Sequence, residues 1–129
     1  MSRPLLLSIV ELGGYPNFTP LYRDAGFDVL SERTMRKALP VVRARQPSVV
    51  VAEFNFQSDF RDRTSSLESL MSVVQRLPDT RVVVFFEKDY EHQFNRLRER
   101  HAIHRAFPFP VDTTELLRCL TELAGPTRL

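Results

Sequence analysis

The chain has 129 residues, 43% hydrophobic and 26% charged, which is enough apolar material for one domain to bury its own core without metals or disulfides. Its 18 basic and 16 acidic residues leave a formal charge of +2, so the electrostatics demand neither a nucleic-acid nor a membrane partner. The lone Cys119 excludes an intrachain disulfide and fits a reducing compartment, and no apolar run reads as a bilayer span or a signal peptide. The expectation is a soluble cytoplasmic domain.

Leu5 to Val10 reads as a buried strand, closed by Glu11 and the turn Gly13-Gly14-Tyr15-Pro16. A short helix follows, with Thr19 placed to cap it, Pro20 at its first position and Gly26 at its end. Phe27 to Leu30 is a short second strand. The second helix spans Glu32 to about Arg45, and Pro40 inside it predicts a kink or an early break. Ser48 to Phe54 is continuously apolar and β-branched, as a central strand buried on both faces should be. Asn55 to Ser65 is a long polar loop.

A third helix, from about Ser66 to Arg76, carries Leu67, Leu70, Met71 and Val74 on one face and stops at Pro78-Asp79. Arg81 to Phe86 is the fourth strand, and Tyr90 to Arg100 a charged helix with Phe94 and Leu97 as its apolar stripe. Ala102 to Phe107 is the fifth strand. Asp112-Thr113-Thr114-Glu115 is a capping box, followed by Leu116, Leu117, Leu120 and Leu123 at helical spacing up to Gly125-Pro126. Five such βα units predict a flavodoxin-like doubly wound α/β fold. It has three layers around a five-stranded parallel sheet of order 2-1-3-4-5, with functional groups gathered at the carboxyl ends of the strands.

Three segments carry a resemblance: Gln46 to Glu53, a strand ending in a carboxylate; Arg23 to Val29, from first helix to second strand; and Phe107 to Leu117, a strand, a Pro turn and a capped helix. Together they resemble the response-regulator receiver family of bacterial two-component signalling, over almost the whole chain. The resemblance implies a phosphoacceptor site where an Asp, an acidic pair, a hydroxyl and a Lys meet around Mg²⁺. That is phosphoryl transfer by positioning and charge neutralisation, and it needs all of those groups at once.

At the matching positions the groups are changed. Glu53 stands at the acceptor position, one methylene longer than Asp, and Glu11 is the one member left of the acidic pair. Phe86, or the adjacent Glu87, takes the hydroxyl position, and Phe109, followed by Pro110, takes that of the Lys. The expectation is therefore a pseudo-receiver that is not a competent phosphoacceptor, has no catalytic residues and needs no cofactor or metal. Phe86 and Phe109 are expected to fill the former phosphate pocket, while Phe85 and Phe107 are core. A weaker alternative keeps phosphate or Mg²⁺ at Glu53, with Glu11 and with Asp59 or Asp62 from the loop. Another is a small ligand-binding α/β protein.

The stretch Asn95 to Arg105 is locally basic. In receivers the fourth helix, fifth strand and fifth helix form the usual docking and dimerisation surface. Phe94, Arg96, Arg98, Arg100, His104 and Arg105 are thus interface candidates for a homodimer or for a signalling or regulatory partner. No stacking aromatic platform accompanies the charges, which argues against direct nucleic-acid binding. His92, His101 and His104 lack the spacing of a closed metal site, and Cys119 reads as structural.

Overall fold

A computed structural model describes residues 3–11, 16–54 and 66–125. The elements run β1 (Leu5–Ile9), α1 (Thr19–Asp24), β2 (Asp28–Glu32), α2 (Met35–Arg45), β3 (Val49–Glu53) and α3 (Ser66–Val74). Then come β4 (Arg81–Phe86), one 3-10 turn (Lys88–Tyr90), α4 (Glu91–Arg100), β5 (Arg105–Pro108) and α5 (Thr113–Ala124). The strands form one parallel sheet in the order β2-β1-β3-β4-β5, the flavodoxin-like arrangement that the βα alternation predicts.

Each strand sends alternate side chains to opposite faces, and this divides the core in two. Leu7, Ile9, Val50, Ala52, Val82, Val84 and Phe86 pack against α2, α3 and α4. Leu6, Val49, Val51, Val83, Phe85 and Phe107 pack against α1 and α5. Every residue of β3 is buried, which is why its sequence is an unbroken apolar run up to Glu53. Among the described residues no helix is long and apolar enough to cross a membrane.

Several element ends differ from the sequence expectation. Thr19 is the first residue of α1 rather than its cap; Phe18 holds the cap position and the Asn17 side chain accepts from the Thr19 amide at 3.1 Å. Glu32 ends β2, paired with Ile9, and α2 starts only at Met35 because Thr34 caps it, accepting from the Lys37 amide at 3.1 Å. Pro40 does not end α2, which continues to Arg45 and buries Met35, Ala38 and Val42 against the sheet. Pairing of β5 with β4 begins at Arg105 opposite Val83, so residues 102 to 104 lie before the strand. Asp112 caps α5 as predicted, with its carboxylate 3.1 Å from the Glu115 amide, but Leu117 points outward while Leu116 and Leu120 are buried. Gly26 follows α1 at a φ of 111°, a left-handed geometry that suits glycine. The segments Gly13 to Tyr15, Asn55 to Ser65 and Pro126 lie outside the described residues.

Candidate functional site at the ends of β1 and β3

Glu53 is the last residue of β3, in register with Phe85 on β4. Continuing the alternation of Val49 and Val51, its side chain belongs to the α1 side of the sheet, where it is only 4% exposed. Ser8 of β1, on the same face as Leu6, is buried as well and is hydrogen-bonded to Tyr22 of α1. Burial pushes the Tyr22 phenol well above its ordinary range; the nearby Glu53 charge pushes the same way and the Ser8 hydrogen bond opposes it. Ser8, Tyr22 and Glu53 thus form one polar cluster in an otherwise apolar layer.

A cleft of about 460 Å³ opens over this cluster. Glu11, Glu32 and Arg33 lie on its polar side, with Phe18 and Phe85 as an aromatic wall whose rings meet edge to face, centroids 5.6 Å apart. The volume is within the range of small-ligand sites, and the groups at hand could hydrogen-bond or pair with a polar ligand. Among the described residues no three His, Cys, Asp or Glu side chains are grouped as a metal site. Asp59 and Asp62 lie outside the described residues.

Glu11 and Glu53 line the same cleft, but the expected filling by Phe86 and Phe109 is not what the structure has. Phe86 faces the other way, stacked on Phe94 at 4.7 Å and buried among the residues of the α2–α4 layer. Phe109 is 42% exposed and is not among the cleft residues; its amide donates to the Phe86 carbonyl at 2.8 Å and it joins the exposed Pro110 through a cis bond. Phe85, expected to be plain core, is both core and cleft wall. The cause is the period of two: only odd-numbered residues of β4 share a face with Glu53. Ser8 and Tyr22 have no sequence signal beyond a serine inside an apolar run.

The interface candidates separate into one buried residue and two exposed groups. Phe94 is fully buried and cannot present itself to a partner; the Arg98 guanidinium lies 5.6 Å over its ring. Arg100 reaches Glu68 on α3 at 3.5 Å, and Arg96, one turn earlier, shares that flank of α4. Arg98 lies on the opposite flank of the Phe94–Leu97 stripe, toward β5. Arg105 of β5 covers the Phe107 ring at 5.0 Å, and His104 is exposed just before it. Cys119 is on the buried face of α5, and that burial raises its thiol, against the lowering effect of Arg105.

This architecture is the fold of receiver domains, and solved structures agree with it along nearly the whole chain. The chain is similar to the N-terminal signal receiver domain of a two-component response regulator from Bacteroides fragilis, with 21% identity, 96% of this chain and 99% of that one covered, and a TM-score of 0.72. It is likewise similar to the signal receiver domain of an HD domain-containing protein from Pseudomonas fluorescens Pf-5, with 17% identity, 94% of each chain covered and a TM-score of 0.73. A receiver domain protein from Clostridium thermocellum gives 14% identity, 95% and 94% coverage and a TM-score of 0.73. No protein-family model matches the sequence. No curated protein matches it either.

Proposed function

We propose that this chain is a degenerate receiver of bacterial signal transduction or gene regulation, working in the cytoplasm as a protein–protein interaction module rather than as a phosphoacceptor or an enzyme. The observation that carries this reading is the burial of Glu53: a carboxylate 4% exposed, beside the Phe18–Phe85 wall, presents almost no surface to a phosphoryl donor. Its charge is built into the α1 layer next to Tyr22 and Ser8. At the position that the family gives to a Lys, Phe109 supplies no cation for a phosphoryl group. The working surface in this reading is the flank of α4, the β5 edge and α5, with Arg98, His104 and Arg105 as contact residues, toward a second copy or another signalling protein.

Glu11 shares the cleft with Glu53, which supports a second reading in which phosphate or Mg²⁺ still binds there. Titration with beryllofluoride and Mg²⁺, followed by amide NMR of the labelled protein, separates the two. The expected result is an unchanged spectrum. Saturable shifts around Ser8, Glu11 and Glu53 that need both Mg²⁺ and beryllofluoride would establish the second reading and end the first.

A further inference from the structure

A groove of about 650 Å³ runs between α2 and α3, on the sheet face opposite α1 and α5 and separated from the α4–β5 flank by α3 itself. Leu39, Val73 and Leu77 form its apolar floor; each is half-buried, packed on the core from beneath and open above. Arg43 stands on the α2 wall and Arg76, just beyond α3, on the other. Both are exposed, and among the described residues neither has an ion pair. The whole of α2 carries Arg36, Lys37, Arg43 and Arg45 and no carboxylate. Arg36 lies two turns before Arg43, so it extends the same cationic rim. The partial negative charge at the end of α2 complements Arg43 and Arg45 in its last turn, but nothing on the helix offsets Arg36 and Lys37.

We propose that this groove docks an acidic amphipathic helix from a protein partner. Apolar residues at helical spacing would lie on Leu39, Val73 and Leu77, and carboxylates on both flanks of that stripe would meet Arg43 on one side and Arg76 on the other. An open trough suits an elongated occupant, and two walls of one sign require that both flanks of the occupant carry the opposite sign. A nucleic acid would use the cations but leave the aliphatic floor without a role, since among the described residues the groove is lined by no aromatic ring for a base to stack on. The surface is distinct from the β5 flank and does not depend on the state of Glu53.

The test is fluorescence anisotropy with a labelled designed helix about five turns long, with a leucine stripe and glutamates on both flanks. A lysine-flanked version and a scrambled glutamate version serve as controls. The glutamate-flanked helix should bind saturably and the two controls should not. In the Arg43→Glu, Arg76→Glu double variant its affinity should fall about tenfold or more, and the lysine-flanked helix should begin to bind. The milder Arg43→Gln, Arg76→Gln pair should give a smaller loss with an unchanged melting temperature, so a folding defect cannot imitate the result. Absence of saturable binding, equal binding of the scrambled peptide, or indifference to both double variants overturns the proposal. So does binding of a labelled DNA duplex that the double variant abolishes while the glutamate helix fails to bind, or dimerisation of the protein that the variant abolishes under the same circumstance.

Discussion

Tyr22 and Ser8 are the residues whose removal reports most directly on how the cleft is built. Each is buried, and they are hydrogen-bonded to one another beside the Glu53 carboxylate, so truncating either removes one bond of this buried cluster. Ser8→Ala and Tyr22→Phe should each cost about 1–2 kcal/mol in urea unfolding, and the double variant less than the sum, because both single changes remove the same hydrogen bond. Tyr22 also sets an alkaline limit. Its phenol stays protonated in the folded chain at pH values where an unfolded tyrosine, with a pKa of about 10, has ionised. The folded state then binds more protons than the unfolded one, so the contribution is complete below about pH 10 and declines as pH rises toward the raised folded value. Tyr22→Phe should flatten the stability profile above pH 10, and an unchanged slope there would show that the phenol titrates freely. The Cys119 thiol, raised as well, adds its own decline from lower pH, which remains in the Tyr22→Phe protein.

Among the elements, α2 shows where local sequence rules yield to packing. Pro40 removes one backbone donor from the middle of the helix, a loss that normally ends or kinks it. The helix persists because Met35, Ala38 and Val42 are buried, and the Thr34 cap fixes its start. An apolar side chain fully buried contributes roughly 1.5–3 kcal/mol, comparable to the cost of about 3 kcal/mol for an interior proline. Pro40 is itself exposed, so Pro40→Ala should restore the donor without disturbing the core. We expect a gain of about 1–3 kcal/mol, read from the urea midpoint; a loss would mean that the proline shapes the helix for packing. The central strands were legible because β3 and β4 are buried on both faces and so cannot alternate. The start of α1 was not, since Asn17 and Thr19 are both capping residue types and only the three-dimensional turn chooses between them. The carboxylates of the cleft were legible as strand-end acids. Its aromatic wall was not, because choosing Phe85 over Phe86 requires the sheet register, in which one residue reverses the face.

At the scale of the whole molecule, the two-sided core assigns the charged surface to separate flanks, and this changes which arginines a partner can meet. Read in sequence, Arg96, Arg98 and Arg100 look like one basic patch; on the helix they fall on both sides of the buried Phe94–Leu97 stripe. The Arg100 contact with Glu68 draws one side toward α3, while Arg98 and Arg105 frame the β5 edge, each laid over a buried phenylalanine ring. Stacking holds those guanidiniums close to the surface, so they enter an interface having already lost part of their rotamer freedom. If the α4–β5–α5 flank is the working surface, Arg98→Glu with Arg105→Glu should weaken self-association or partner binding about tenfold. Arg96→Glu with Arg100→Glu should change it little, although it exchanges the partly exposed Glu68 pair for a like-charge contact. Surface substitutions of this kind usually shift stability by less than about 0.5 kcal/mol, so both proteins should melt near the parent temperature. Sedimentation velocity over a concentration series, repeated with any identified partner, distinguishes the pairs. The reverse pattern, with the Arg96 and Arg100 protein defective and the Arg98 and Arg105 protein intact, would move the interface to the α3–α4 side and remove the β5 edge from the functional surface.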